Sequence, residues 1–351
     1  MLVSPSPRRI AVLAVAAVTA AALAACSTGA PSDDATASGE IVVASYGGSF
    51  QDAQQTAYFG PFQEESGITV TGTEGSSYDK LKAQVDSGQV DWDVVSAESS
   101  TYTNDAADGL LEPIDYSVVD AAGVPDLLKQ EFGVGYLIFG LNVAWNKDAF
   151  PEGLTPEQFF DPTVKARRVL PDSPVYTVEF ALLGDGVKPD DLYPLDVDRA
   201  FAALDRIKDQ VVGFKGGADT QTLISQGEVD AAYVPNGRVE DAIDAGANWD
   251  YSWAGAVADT EWWVIPKGAP NLEGAQQFIN YATSPEPQAA MSAAILYGPT
   301  NTEAFPLIDP ERASRLPGDP KNADISAIID PAWWGENREA TKSRWDQWLL
   351  S

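Results

Sequence analysis

The 351-residue chain contains no histidine. That removes the commonest general base and the commonest metal ligand found in proteins. Its single cysteine, Cys26, permits no intrachain disulfide and no thiolate cluster. Serine–histidine catalysis, cysteine–histidine catalysis and most zinc sites are thereby excluded. Nothing in the residues calls for a cofactor, and the reading is of a protein that is not an enzyme. Basic residues are scarce too: 22 Lys and Arg stand against 52 Asp and Glu, for a formal charge of −30. Such a body repels nucleic acid and anionic membrane surfaces, and it attracts cations. Long apolar runs are also missing. The longest, residues 10–25, is shorter than the roughly twenty residues of a membrane span. No internal repeat of solenoid period is visible.

What is present describes a secreted globular chain. Apolar residues make up 44% and aromatics 10%, enough for two ordinary domains with real cores. Arg8 and Arg9 precede the apolar run, and Leu23-Ala24-Ala25-Cys26 closes it. This is the pattern of a secretory signal over 1–25, and its last four residues resemble a bacterial lipobox. Cleavage there makes Cys26 the lipidated N-terminus. Residues 26–39 are small and polar and read as a flexible tether. The expected location is extracytoplasmic, held by lipid alone to the outer face of the cell membrane, or periplasmic.

The rest alternates strand and helix, which predicts an α/β fold with parallel strands. Strands are expected over 41–45, 68–71 and 93–96. Helices are expected over 51–65, broken at Gly60-Pro61, then from Tyr78 to a stop at Gly88, and over 101–108. A second α/β body follows. Thr155-Pro156-Glu157-Gln158 is a capping box. Ala200, Leu204, Ile207 and Val211 mark one helix face, and further helices are expected over 220–226, 238–245, 272–282, 286–294 and 337–350. Strands are expected at Val169-Leu170, over 229–234 and over 262–265.

The stretch SYGGSFQDAQ, residues 45–54, places two glycines between a strand and a helix start. It is not a nucleotide loop, because no GxGxxG and no following Lys-Ser/Thr is present. It also lacks the last glycine of a nucleophile elbow. The expectation is one wall of a solute cleft.

Several segments resemble the spermidine/putrescine-binding family of ABC-transporter solute receptors. They are GGSFQDAQ with PFQEESGITV, KLKAQVDSGQVDWDVV, GLLEPIDYS, NVAWNKDAFP, EFALLGDGV, YVPNGRVEDAI, EWWVIPKGAPN with FINYATSPE, and ILYGPTNTEAF, in that order over 47–305. The resemblance implies a type II periplasmic-binding-protein fold, in which two α/β lobes joined by hinge crossovers close on a solute and present it to permease subunits. It assigns 40–142 and 262–303 to lobe 1, and 143–261 and 304–351 to lobe 2. Crossings are expected near 141–144, 260–264 and 301–305. A monomer is expected.

The resemblance places ligand contacts on four loops. At the first, Tyr46 stands where polyamine binders carry tryptophan, and Gly48 stands near their acid. Gly47, Gly48 and Ser49 offer backbone N–H groups and a hydroxyl, with Ser49 as a helix N-cap the plainer alternative. At the second, Glu98 and Ser99 follow a strand, and Glu98 suits an ammonium. At the third, Tyr233, Asn236 and Arg238 meet; Arg238 either holds a carboxylate in a bidentate pair or pairs with Glu240 or Asp241. At the fourth, Glu261 falls where polyamine binders carry an aspartate. Strand alternation sets Trp263 on the same face and Trp262 on the other, an arrangement suited to an amine by charge and cation–π contact. Asp172, Tyr176 and Glu179 form a looser further group. The expected ligand is a putrescine- or spermidine-like amine. The alternative is an ω-amino acid such as 4-aminobutyrate, or an opine-like zwitterion. A carboxylate-pair hydrolase using Glu98 and Glu261 across a cleft is the remote alternative.

Overall fold

The computed structural model describes residues 39–351. The signal segment, the lipidation site Cys26 and the tether up to residue 38 lie outside the described residues. Eight strands of three or more residues run in one sheet: β1 Glu40–Ser45, β2 Thr69–Glu74, β3 Val94–Glu98, β4 Gly133–Asn146, β5 Arg168–Leu170, β6 Val211–Phe214, β7 Ala231–Pro235 and β8 Trp249–Pro266. Their order across the sheet is β2-β1-β3-β8-β4-β7-β5-β6. At one end β2, β1 and β3 are mutually parallel. At the other, β7, β5 and β6 are parallel. The long strands β4 and β8 run antiparallel to each other between these sets, and each also pairs antiparallel with its neighbouring set. Two α/β bodies joined by shared long strands are the two-lobed arrangement expected.

The local chemistry explains the elements. β1 reads EIVVAS and is buried at Ile41, Val43 and Ala44, as a strand covered on both faces must be. Residues 48–66 are helical, labelled α1. They run as Gly48–Gln54, a π-helical turn Gln55–Phe59, and Gly60–Ser66. The break predicted at Gly60-Pro61 is absent because Pro61 falls where the last helical segment begins, a position that needs no N–H donor. The irregularity lies one turn earlier and turns Tyr58 and Phe59 into the core. Helix α2, Tyr78–Ser87, is capped by the Ser77 side chain and stopped by Gly88 in the left-handed conformation. Helix α3 is Ser99–Ala107. The Thr155–Gln158 capping box forms but opens only a four-residue helix. Helices α4 Pro174–Gly184, α5 Val197–Ile207, α6 Gly217–Ser225 and α7 Asn236–Asp244 follow. The helix face predicted through Val211 ends at Ile207; Val211 opens β6, where it pairs with Arg168. Helices α8 Leu272–Ala282, α9 Pro285–Ala294 and α10 Pro331–Leu349 complete the order.

The strand predicted over 262–265 is the end of a much longer one. β8 carries an interruption: Ser252 pairs with Val143 and Val257 with Leu141, so β8 advances five residues while β4 advances two. Gly255 sits in this surplus at φ +78, and the Trp253 ring packs where a Cβ on Gly140 would stand. No helix among the described residues is long and apolar enough to cross a membrane.

Candidate functional site

The ends of β1, β3 and β7 and the middle of β4 and β8 converge on a cavity of about 570 Å³. Its acidic floor comes from register. Glu98 ends β3 and lies directly opposite Glu261 on antiparallel β8. Asp259, two residues before Glu261, is buried beside them. Glu261 accepts hydrogen bonds from Ser96 Oγ at 3.0 Å and Tyr46 Oη at 3.3 Å. Ser96 Oγ in turn meets Tyr136 Oη at 2.8 Å, to which Gln54 Nε2 donates at 3.0 Å. Tyr176 Oη donates to Asp259 Oδ2 at 2.7 Å.

Burial and mutual repulsion raise all three carboxyls. Burial, then the charge of Asp259, pushes Glu98 up to about 7. Burial pushes Asp259 up to about 6, against hydrogen bonds that pull it down. Burial, followed by the charges of Glu98 and Asp259, holds Glu261 well above the usual carboxylate range. Three acids this close ionise together only beside a cation; without one they retain protons.

An aromatic wall joins the floor to the opposite side. Tyr46, Phe50, Tyr297, Phe139 and Tyr176 follow one another with ring centroids 5.7 to 6.1 Å apart, and all five line the cavity. Tyr176 takes φ +67, a conformation bulky side chains rarely hold. Its hydrogen bond to Asp259 accounts for where the strained turn aims the phenol.

Arg238, on the first turn of α7, is 4% exposed. It donates to Gly47 O at 2.9 Å and Ser49 Oγ at 3.0 Å, and its guanidinium stands 5.9 Å from the centre of Phe50. Both acceptors are neutral. Of the two acids offered as its alternative partner, Glu240 is taken by Arg315 and Tyr251; Asp241 lies near enough for Arg238 to pull its carboxyl down, against burial, but makes no ion pair with it. A guanidinium has five N–H donors, so Arg238 retains others for an anion in the cavity it lines.

Of the residues singled out from sequence, Tyr46, Glu98, Tyr233, Arg238 and Glu261 line the cavity, as do Asp172 and Tyr176 of the looser group. Glu179 does not; it is buried among Tyr193 and Trp334, which donate to it at 2.7 and 2.6 Å. Gly47, Gly48 and Ser49 lie behind the cavity wall at Arg238. Gly47 is the N-cap of α1, so Ser49 is not. The left-handed φ of +57 at Gly48, with a Cβ there only 3.0 Å from Arg238 Nη1, explains why glycine stands at that position.

Ser99, Asn236 and both tryptophans sit off the cavity. Trp263 shares the face of Glu261 but lies one pleat deeper, fully buried and stacked on Tyr136 at 3.9 Å. Trp262 points the other way, stacks on Tyr102 at 4.4 Å and donates to Ser99 Oγ at 3.0 Å. Both tryptophans are therefore core, and the cation–π surface comes from other rings. Asn236 is buried and accepts from Gly140 N at 3.1 Å while donating to Leu296 O. Glu98 and Glu261 are neighbours in one sheet, not a pair across a cleft as a hydrolase reading needed.

Sequence reasoning missed Phe50, Phe139, Tyr297 and Arg338 on the cavity wall. Phe50 and Tyr297 stand inside the segments GGSFQDAQ and ILYGPTNTEAF, which carried that signal. Phe139 is one apolar residue in an apolar strand, and Arg338 lies beyond the last segment, so neither carried any.

A family model described as bacterial extracellular solute-binding protein matches residues 57–318. The gamma-aminobutyric acid-binding protein of Pseudomonas aeruginosa is 32% identical over 320 residues, covering 88% of this chain and 90% of that one. Spermidine/putrescine-binding periplasmic protein 1 of Haemophilus influenzae is 27% identical over 284 residues, 75% of this chain and 77% of that one. The solved structure of the periplasmic binding protein AgtB from A. tumefaciens R10, in complex with agropinic acid, is 56% identical. It superposes with a TM-score of 0.88 over 89% of this chain and 99% of that one. The fold is thus the periplasmic-binding-protein fold that the resemblance implied. With an acid floor, an aromatic wall and a buried arginine around one cavity, the chain belongs to the bacterial extracellular solute-binding protein family and is the substrate-binding protein of an ABC transporter.

Proposed function

We propose that the cavity takes a zwitterion, an ω-amino acid or a larger opine-like amino acid conjugate, and hands it to the permease. The observation that carries this reading is the presence of Arg238, with no ion-pair partner among the described residues, in the same cavity as Glu98 and Glu261. The amine goes to Glu261 and Glu98, with Asp259 behind, and the carboxylate to the remaining donors of Arg238. Tyr46, Tyr233 and the aromatic wall flank the chain between them. Gly47, Gly48 and Ser49 set the arginine, while Ser99, Asn236 and Trp263 hold the walls.

The names of the relatives support this order of preference. The gamma-aminobutyric acid-binding protein and the agropinic acid complex are more similar to this chain than the polyamine-binding protein is. A diamine would place a second ammonium against a buried guanidinium, which is repulsive. The volume of about 570 Å³ lies in the range that encloses a drug-sized ligand, which favours the larger members of the class.

The lobes divide in this reading as 40–142 with 262–303, and 143–261 with 304–351, closing about the long strands. Cys26 carries the lipid that holds the monomer at the membrane. The test is a thermal-shift screen with 4-aminobutyrate, agropinic acid, putrescine and spermidine. A ligand at a hundred times its Kd adds about 2.7 kcal/mol to the folded state. Stabilisation by the zwitterions, lost in Arg238→Ala, is expected. Stabilisation by putrescine alone, kept in Arg238→Ala, overturns the reading.

A further inference from the structure

The C-terminal helix α10 is fastened along one side of the molecule. Trp334 donates to Glu179 of α4, Arg344 pairs with Asp198 of α5, and Trp348 donates to Asp205 of α5 at 2.6 Å. Trp345 and Trp348 pack on Phe201 and Phe214. Its first half also lies against α3, the helix that begins where Glu98 ends. Gly335 makes that approach possible, since a Cβ there would stand 3.2 Å from Thr103 Cγ2. Glycine is a poorer helix former than alanine, so the close crossing comes at a local cost to the helix.

At this crossing two opposite charges face each other unjoined. Both carboxylate oxygens of Asp105, in α3, are buried with no hydrogen-bond partner. Nη1 of Arg338, in α10, is likewise buried without one. The two charges are near enough for the arginine to pull the carboxyl down, although burial still pushes it up to about 7. The guanidinium instead stands 5.2 Å from the centre of the Tyr78 ring and lines the cavity. Leaving each group unpaired is costly, and joining them relieves both. A solute filling the cavity would meet the Arg338 guanidinium on its wall.

We infer that Arg338 and Asp105 form an occupancy-sensing latch: solute in the cavity displaces the guanidinium from Tyr78 onto Asp105, and the new ion pair clamps α10 to α3. The inference rests on the reading of the cavity as a solute site. It concerns how long solute is held, and which solute is held is a separate matter.

The experiment measures dissociation rates of agropinic acid and of 4-aminobutyrate from the wild-type chain, Asp105→Asn, Arg338→Met, Arg338→Lys and the double variant Asp105→Asn/Arg338→Met. Circular dichroism confirms folding of each. Each Asn or Met single variant is expected to release solute roughly tenfold faster, and the double variant no faster than either single one. Arg338→Lys is expected to fall between, because it keeps the charge and loses the fork. Should Asp105→Asn fail to fold, hydrogen exchange decides. Solute is expected to protect the first half of α10 in wild type and not in Arg338→Met. Dissociation unchanged in Arg338→Met, or single effects that multiply in the double variant, overturns the latch while leaving the solute reading intact. A wild-type chain that binds neither probe overturns the solute reading and the latch with it.

Discussion

Glu98 and Glu261 are register partners on antiparallel strands, a half-buried and a buried carboxylate side by side at the floor of the cavity. Cβ atoms of such partners are about 5 Å apart. A fold would ordinarily avoid this, since like charges directly opposite destabilise a sheet. Protons sustain the pair, and on the proposed reading a solute amine takes their place, so that binding exchanges a cation for protons.

Affinity for an amine-bearing solute is therefore expected to rise with pH from about 5 and level off above about 7, where Glu98 and Asp259 titrate. Calorimetry in buffers of different ionisation enthalpy should show protons released on binding near pH 6. Equal proton release from a Glu261→Gln/Glu98→Gln variant would rule this cluster out as the source.

Stability without solute runs the other way. These carboxyls keep their protons to higher pH when folded than when unfolded, where they titrate near 4. The native state thus binds more protons between about 4 and 7, and unfolding becomes easier as pH rises through that window. Melting curves from pH 5 to 8 should show the fall, and Glu261→Gln should flatten it. Binding of a zwitterion by Glu261→Gln is expected to weaken by about 2–5 kcal/mol.

Trp263→Phe separates core from site. The indole is fully buried on Tyr136 and does not line the cavity. A stability loss of about 1–3 kcal/mol is expected, with solute affinity within twofold of wild type. A large affinity loss at unchanged stability would return Trp263 to the site.

Gly48→Ala tests the seating of Arg238. The new methyl would meet Nη1 at 3.0 Å in a backbone conformation that alanine resists. A loss of about 1–2 kcal/mol in stability is expected, together with weaker binding of carboxylate-bearing solutes. Ser49→Ala, which removes one acceptor of the same guanidinium, should weaken binding without the backbone strain.

Much of the fold was legible because punctuation was strong. Gly88 stops a helix where the sequence placed a stop, and Thr155 with Gln158 formed the capping box. The length of β8 was not legible. Its residues 249–261 mix Asp, Ser and Gly with aromatics, and pairing with β4 overrides their weak alternation. The acids of the site were legible because strand ends locate them. The direction of Trp263 was legible from alternation, but its depth was not, since depth depends on Tyr136 arriving from another strand. Arg338 was out of reach altogether, because nothing local in an amphipathic helix says which turn meets a cavity.

The surplus in β8 has a mechanical meaning. Elsewhere the two strands keep register apart from a one-residue shift at Glu261/Trp262, whereas residues 253–256 run without partners on β4 and Gly255 holds a left-handed turn. A change of twist anywhere along the sheet can be taken up by these torsions before a single ladder bond is strained. The segment is built like an expansion joint: the largest slack between the two long strands is gathered in one short stretch of β8, where a change of bend is most easily absorbed.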